Sequence, residues 1–371
     1  MNNNFISHFS IIEDPRSSNK QHQLMDILFL SMCAVLSGAE GWEDIEDFGH
    51  AKIDWLKQYL PFNKGIPRHD TIARVLCRIE PASIQTCFIN WVKDIALQCD
   101  ADVIAIDGKT ARRSFTTKDR KNALHRVSAW SCAHGLVLGQ RKVDDKSNEI
   151  TAIPELLDIL DIKGCTLTMD AMGCQHAIVE QIQAKGADYV IALKGNQGTL
   201  NEEVKAWFQK AWREKYSGIV HEECEDTDTG HGRIEVRRCL QVEIDTQWLK
   251  EGAKWRSVNS VIQIDSERHV HGKVTTETRY YLSSLSVDAE RVNRIIRQHW
   301  EVESMHWTLD MTFNEDSSRI RRGNAAEVMN ALRKVALNVV KNDTTRKASM
   351  KRKLKMAALD DNFRAELLLG V

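Results

Sequence analysis

The sequence predicts an α/β protein: a mixed sheet with flanking helices, an all-helical N-terminal domain before it and a β-rich insertion within it. Three observations carry this reading. Up to about residue 100, apolar residues recur at helical spacing. Beyond that point they gather into short runs, and 165–194 reads strand–helix–strand, a parallel pair with a right-handed crossover. From 200 to 285, long stretches alternate apolar with charged residues, as strands with one charged face do.

The helical domain (1–100) opens with "HQLMDILFLSMCAVLSGA", which meets a helix-ending Gly38. "WEDIEDFGHAKIDWLKQYL", the turn "PFNKGIP", "RHDTIARVLCRI" and "ASIQTCFINWVKDIALQC" complete it. Residues 66–80 have some helix-turn-helix character, although most helical pairs bind nothing. The first part of the core (101–199) starts with the strand "DVIAID". "HRVSAWSC" and "LVLGQRKV" flank the turn "AHG" as a hairpin, and "ITAIPELLDIL" is a short helix. "CTLTMD" is a buried strand, "QHAIVEQIQAK" a helix ending at Gly186, and "DYVIALK" a further strand. The β-rich insertion (200–285) holds "HEECEDTDTGHGRIEVRRCLQVEI" and "SVNSVIQIDSERHVHGKVTTETRYYLSSL". Helical period returns in 286–345, with "DAERVNRIIRQHWEVESMHWTLDMTF" and "AAEVMNALRKVALNVVKN", and 346–371 reads as a basic C-terminal tail.

At 371 residues the chain can bury more than one core, and no run of 18 apolar residues could span a bilayer. Its start lacks the pattern of a secretory signal. Nine scattered cysteines without a CxxC pair argue against a zinc ribbon and fit a reducing cytosol. Net charge is only −1, but it is unevenly spread. From Arg319 to Lys355, twelve Lys and Arg stand against Glu327 and Asp343, a net +10 that leaves −11 for the rest. Such asymmetry suits either a surface that meets a polyanion or a solvated basic helix and tail.

The stretch "VIAIDGKTARRS" (103–114) ends an apolar strand in Asp107. A phosphate-binding loop ending in Gly108-Lys109-Thr110 would need glycine at 103, where Val103 stands, so a nucleotide is not expected. Asp-Gly after alternating apolar residues suits a hairpin turn, although a long basic stretch follows it. The remaining reading is an acidic metal set. Asp170 also caps an apolar strand, and two aspartates at the ends of neighbouring strands lie side by side at the sheet edge. Clustered carboxylates repel unless a cation sits among them.

A third acid would come from a helix packed over that edge. In "RIIRQHWEVESMHWTLD", Ile295, Val302, Met305 and Leu309 form an apolar stripe bordered by His299, Glu303, His306 and Asp310. Glu303 is placed to reach in, Glu301 and Asp310 are its rivals, and a merely solvated border remains the plain alternative. The two His-Trp pairs read as core tryptophans with histidines that lack a second ligand pair for zinc. Three carboxylates suit in-line phosphodiester cleavage, in which two Mg²⁺ or Mn²⁺ ions steady the attacking and leaving oxygens.

"IAIDGKTARRS", "LTMDAMGCQ", "YVIALKGNQ", "HGRIEVRR" and "RQHWEVESMHWTLDMTFNEDSSRIRRGNAAE" together resemble bacterial insertion-sequence transposases of the DDE class, in the subgroup that includes the H-repeat-associated proteins. The resemblance covers nearly the whole chain. It implies an RNase H-like core with Asp107, Asp170 and Glu303 as the catalytic, metal-binding triad. It also accounts for the unequal gaps, 63 positions between the aspartates and 133 from Asp170 to Glu303, by an insertion before the glutamate helix. Ser304 stands where the family usually has Asn, and His299 and Asp310 where related groups carry Arg and Lys. The implied activity is metal-dependent cleavage and transfer of DNA strands, with two Mg²⁺ (or Mn²⁺) ions as cofactors. The implied partners are double-stranded DNA, as element ends and target, and a second copy of the chain in a homodimer on DNA; membrane and nucleotide are not expected. Arg112, Arg113, Lys194, Arg319, Arg321 and Arg322 are expected on phosphates, and the helical domain around Arg68 to Arg78 on the element ends. The expected location is the bacterial cytoplasm, at the nucleoid. A DNA-binding remnant without catalysis and another nuclease of the same core are the alternatives.

Overall fold

The computed structural model describes residues 5–18, 20–95, 102–111, 125–143, 148–230 and 232–370. It begins with the helices α1 (Phe5–Phe9), α2 (Leu24–Leu36), α3 (Trp42–Leu56), α4 (His69–Leu76) and α5 (Pro81–Ile95). Every residue of α2 from Asp26 to Leu36 is buried, as befits a helix apolar on all sides. The chain leaves α2 through Gly38, whose φ of +92° suits glycine alone.

The strands are β1 (Val103–Thr110), β2 (His125–Ser131), β3 (Leu136–Lys142), β4 (Thr166–Met169), β5 (Asp188–Leu193), β6 (His221–Gly230), β7 (Arg233–Glu243), β8 (Ser260–Val270) and β9 (Lys273–Ser283). Among the described residues they make one mixed sheet in the order β3-β2-β1-β4-β5-β9-β8-β7-β6. β1, β4 and β5 run parallel, and every other pairing is antiparallel. The β-rich segment is joined to the rest through β9, which pairs with β5.

Helices α6 (Glu149–Ile159), α7 (His176–Ala184), α8 (Gly198–Arg213), α9 (Ala289–His299), α10 (Glu301–Met311) and α11 (Ala325–Asn342) surround the sheet. α9 crosses β1, β4 and β5 and reaches β6 and β7, while α10 lies over β1 and β2. α11 packs on β3 along one side and on α2 and α5 along the other, so it ties the N-terminal helices to the sheet. Among the described residues no helix is long and apolar enough to cross a membrane.

Four features differ from the sequence reading. The segment expected to be β-rich from residue 200 opens with α8, whose buried Leu200, Val204, Trp207, Phe208 and Ala211 have helical spacing. The helical stretch 288–313 is broken at Trp300, where ψ of −9° departs from the α-helical value and separates α9 from α10. The basic tail is instead two helices, α12 (Met350–Leu359) and α13 (Asp361–Leu369), folded onto α2 and α11. Phe363 and Leu368 supply the apolar contact, and Arg364 is fully buried with its guanidinium 4.0 Å from the Trp55 ring. Finally, Trp300 and Trp307, read as core, are 46% and 64% exposed.

Candidate active site

Val103 belongs to the apolar cluster beneath α9, so strand alternation sends Asp107 to the same face. β1 and β4 are parallel with Ile106 opposite Met169. The next residues in that register are Asp107 and Asp170, which leave the two strands side by side. Beyond Met169 the chain turns sharply through Ala171–Gly173, and the Asp170 Oδ1 accepts a 2.9 Å hydrogen bond from the Met172 N–H. A Cβ on Gly173 would come within 2.9 Å of Met169, so the turn is built around glycine.

Glu303 arrives from the first turn of α10, above the end of β1. Ligand atoms of Asp107, Glu303 and His306 all lie within 4.8 Å of one another. Among the described residues no hydrogen bond reaches the carboxylate of Asp107 or Glu303, although the His306 Nδ1 lies 3.4 Å from the Asp107 Oδ2. Asp170 is not part of this trio. Burial raises its pKa, and the negative charges of Glu149 and Asp107 push it the same way. The unpaired carboxylates of Asp107 and Glu303, close together beside the charge of Asp170, fit a divalent cation. The charge of the rival Glu301 is felt at Cys132, whose thiol pKa is pushed up by burial and by that charge. Asp310, the other rival, is bonded to Lys109.

Several supporting groups are not evident in the sequence. Glu149, at the start of α6, accepts from the His125 ring at 2.9 Å, and that ring is 2.6 Å from the Thr110 hydroxyl. A side chain on Gly108 would collide with the Glu149 carboxylate. His299 meets the Thr168 hydroxyl at 3.0 Å; burial lowers its pKa while the Asp107 charge opposes the shift. Lys109 shares the face of Asp107 and reaches beneath α10 to Asp310, to Glu315 at 3.0 Å and to the His306 carbonyl at 3.4 Å. Glu315 also accepts from Arg126 at 2.9 Å. Nothing local marks Glu149 or Glu315, because each meets partners from distant parts of the chain.

The cationic residues are divided. Lys194 is exposed on a cleft of about 370 Å³ beside Asp170, which Lys205, Arg279, His299 and Trp300 also line. Arg319, Arg321 and Arg322 are exposed on the segment before α11. Arg112 and Arg113 lie outside the described residues. Three cations of the basic run are internal: Arg333, Lys334 and Lys353 are 4%, 2% and 6% exposed. Lys334 donates to the Ser128 hydroxyl at 2.7 Å and the Gln140 carbonyl at 2.6 Å, and Lys353 pairs with Asp343 at 2.8 Å. The basic surface is therefore smaller than the composition implies.

Comparison with known proteins matches residues 98–339 to the family described as Transposase DDE domain and residues 6–92 to the DDE_Tnp_1-associated family. The "H repeat-associated putative transposase YhhI" of Escherichia coli (strain K12) is 47% identical over 371 residues, covering 98% of this chain and 97% of that protein. The "H repeat-associated putative transposase YbfD" of the same strain is 54% identical over 233 residues, 62% of this chain and 91% of the relative. The "Inactive transposase YbfQ", also from that strain, is 61% identical over 72 residues, 19% of this chain and 86% of the relative.

Proposed function

The chain belongs to the DDE transposase family, and on that premise we propose that it cleaves and transfers DNA strands at the ends of an insertion sequence. The family implies DNA as substrate and divalent metal as cofactor. The strand order β3-β2-β1-β4-β5, with β1, β4 and β5 parallel, supports an RNase H-like core. Residues 101–199 and 286–345 would make up that core, 200–285 its insertion, and 1–100 a unit that recognises the element ends.

The observation that carries the proposal is the approach of Glu303 on α10 to Asp107 at the end of β1. Asp107 and Asp170 end neighbouring parallel strands, and Glu303 comes in from α10. These residues would hold two Mg²⁺ or Mn²⁺ ions. Bound there, the ions would neutralise charge on the scissile phosphate and lower the pKa of the attacking hydroxyl group. The rest falls to the chain's own groups. Lys109 fixes the turn of α10 relative to β1, which sets the approach of Glu303 to Asp107. Lys194, Arg319, Arg321 and Arg322, with Arg112 and Arg113, would grip phosphates and keep the DNA in line with the acids. Water is the first nucleophile, and the freed 3′-hydroxyl then attacks target DNA. Two ends must be handled together, so the working form is a homodimer on DNA, at the bacterial nucleoid in the cytoplasm.

The name of the relative YbfQ keeps a second reading open, a DNA-binding remnant that has lost catalysis. Incubating the protein with DNA carrying the element ends and Mg²⁺ or Mn²⁺ separates the readings. Joined products support a transposase, cut but unjoined products a nuclease of the same core, and bound but intact DNA a remnant.

A further inference from the structure

We propose that His306 is a ligand of the divalent ion held by Asp107 and Glu303, and that this nitrogen donor makes the position prefer Mn²⁺ to Mg²⁺. The proposal rests on the reading above that those two acids hold an ion.

Glu303 and His306 are three residues apart on α10, so they share a face, and that face is turned to the end of β1. His306 is 6% exposed, and its Nδ1 is 3.4 Å from the Asp107 Oδ2. Despite that distance the two atoms form no hydrogen bond. The other ring nitrogen, Nε2, is sealed from solvent and has no hydrogen-bond partner among the described residues. A buried imidazole is normally hydrogen-bonded, so a ring whose Nε2 lacks a partner and whose Nδ1 makes only a 3.4 Å contact with the Asp107 carboxylate has a donor to spare. Two adjacent ligands on a six-coordinate ion with bonds of about 2.1 Å stand roughly 3 Å apart, close to the observed spacing. The helix turn that carries the ring is also held in place, since Lys109 donates to the His306 backbone carbonyl and bonds Asp310 one turn further along α10.

The donor type sets the preference. Mg²⁺ favours oxygen ligands and keeps its waters, whereas a transition ion accepts imidazole readily. Two carboxylates with one imidazole form a mixed set that favours Mn²⁺.

The test uses the full-length protein and the metal alone. Spin-echo spectroscopy of Mn²⁺ bound to the unmodified protein is expected to show a directly coordinated imidazole nitrogen, and that signal should vanish in His306→Gln. In titrations followed by the signal of free Mn²⁺, His306→Gln is expected to lose about tenfold or more in Mn²⁺ affinity, on the scale typical of a disturbed metal site. Its Mg²⁺ affinity should change little, and His306→Asp should bind both ions with the preference moved toward Mg²⁺. If Asp107→Asn abolishes Mn²⁺ binding while His306→Gln binds like wild type, or if no nitrogen coupling appears in wild type, the histidine ligand is refuted and the acidic site stands. If Asp107→Asn and Glu303→Gln both bind Mn²⁺ like wild type, the acidic site fails and the proposal with it.

Discussion

Glu315 lies 4% exposed among cations, a setting in which burial alone would favour its neutral form. Arg126, Lys109 and Lys334 overcome that penalty and hold its carboxyl well below the usual carboxylate range. Replacing it by Gln would strand those cations, and the expected cost is about 3–5 kcal/mol in denaturant unfolding. The sign with pH follows. A carboxylate depressed in the folded state contributes fully above its unfolded value of about 4.3 and loses that contribution as pH falls toward its folded value. Wild-type stability should therefore drop on acidification below about pH 5, and Glu315→Gln should show a shallower drop over that range. At this scale the sequence was only partly legible. Asp107 and Asp170 stand out because each interrupts an apolar strand, and Glu303 because it borders an apolar helical stripe. Glu315 and Glu149 carry no such mark: Glu315 meets Arg126 from 189 positions away, and Glu149 meets His125 from 24.

Strands and helices were easier to read than their junctions. The hairpin β2–β3, the unit β4–α7–β5 and the helices α2 to α5 follow from period and glycine stops, which are local signals. The break at Trp300 is not local, because both sides keep helical spacing and only the packing of α9 across several strands and α10 over β1 and β2 reveals two directions. The junction of β1 with α6 gives a test at this scale. Gly108 leaves room for the Glu149 carboxylate, which His125 holds. Gly108→Ala is expected to destabilise by about 1–3 kcal/mol through overpacking. Adding Glu149→Ala should recover part of that loss, and a double-mutant cycle from thermal unfolding would measure it. Strict additivity would mean that the two residues do not collide.

Across the whole molecule, α11 joins the N-terminal helices to the sheet, and the exposed Arg319, Arg321 and Arg322 lie just before it. The following Gly323, with φ of +53°, is packed so closely that a Cβ would come within 2.7 Å of the Cys77 carbonyl, and Asn324 donates to that carbonyl at 3.1 Å. This pins the arginine segment to the turn between α4 and α5. Charge asymmetry in the sequence indicated a polyanion surface, but it could not separate outward cations from Arg333, Lys334 and Lys353, which tertiary packing turns inward. If the three exposed arginines grip phosphates, changing all three to Gln should weaken DNA binding similarly for every sequence. The slope of log affinity against log salt should fall by up to about 2.7, at ~0.9 per contact. An unchanged slope would remove them from the interface.

The most direct test of the central claim is metal-dependent nicking and joining of DNA carrying the element ends, with Asp107→Asn, Asp170→Asn, Glu303→Gln and Glu301→Gln beside wild type. The account predicts that wild type and Glu301→Gln cut and join with Mn²⁺, while the other three bind the DNA but do neither. An active Glu303→Gln beside a dead Glu301→Gln, or any active aspartate variant, would contradict it.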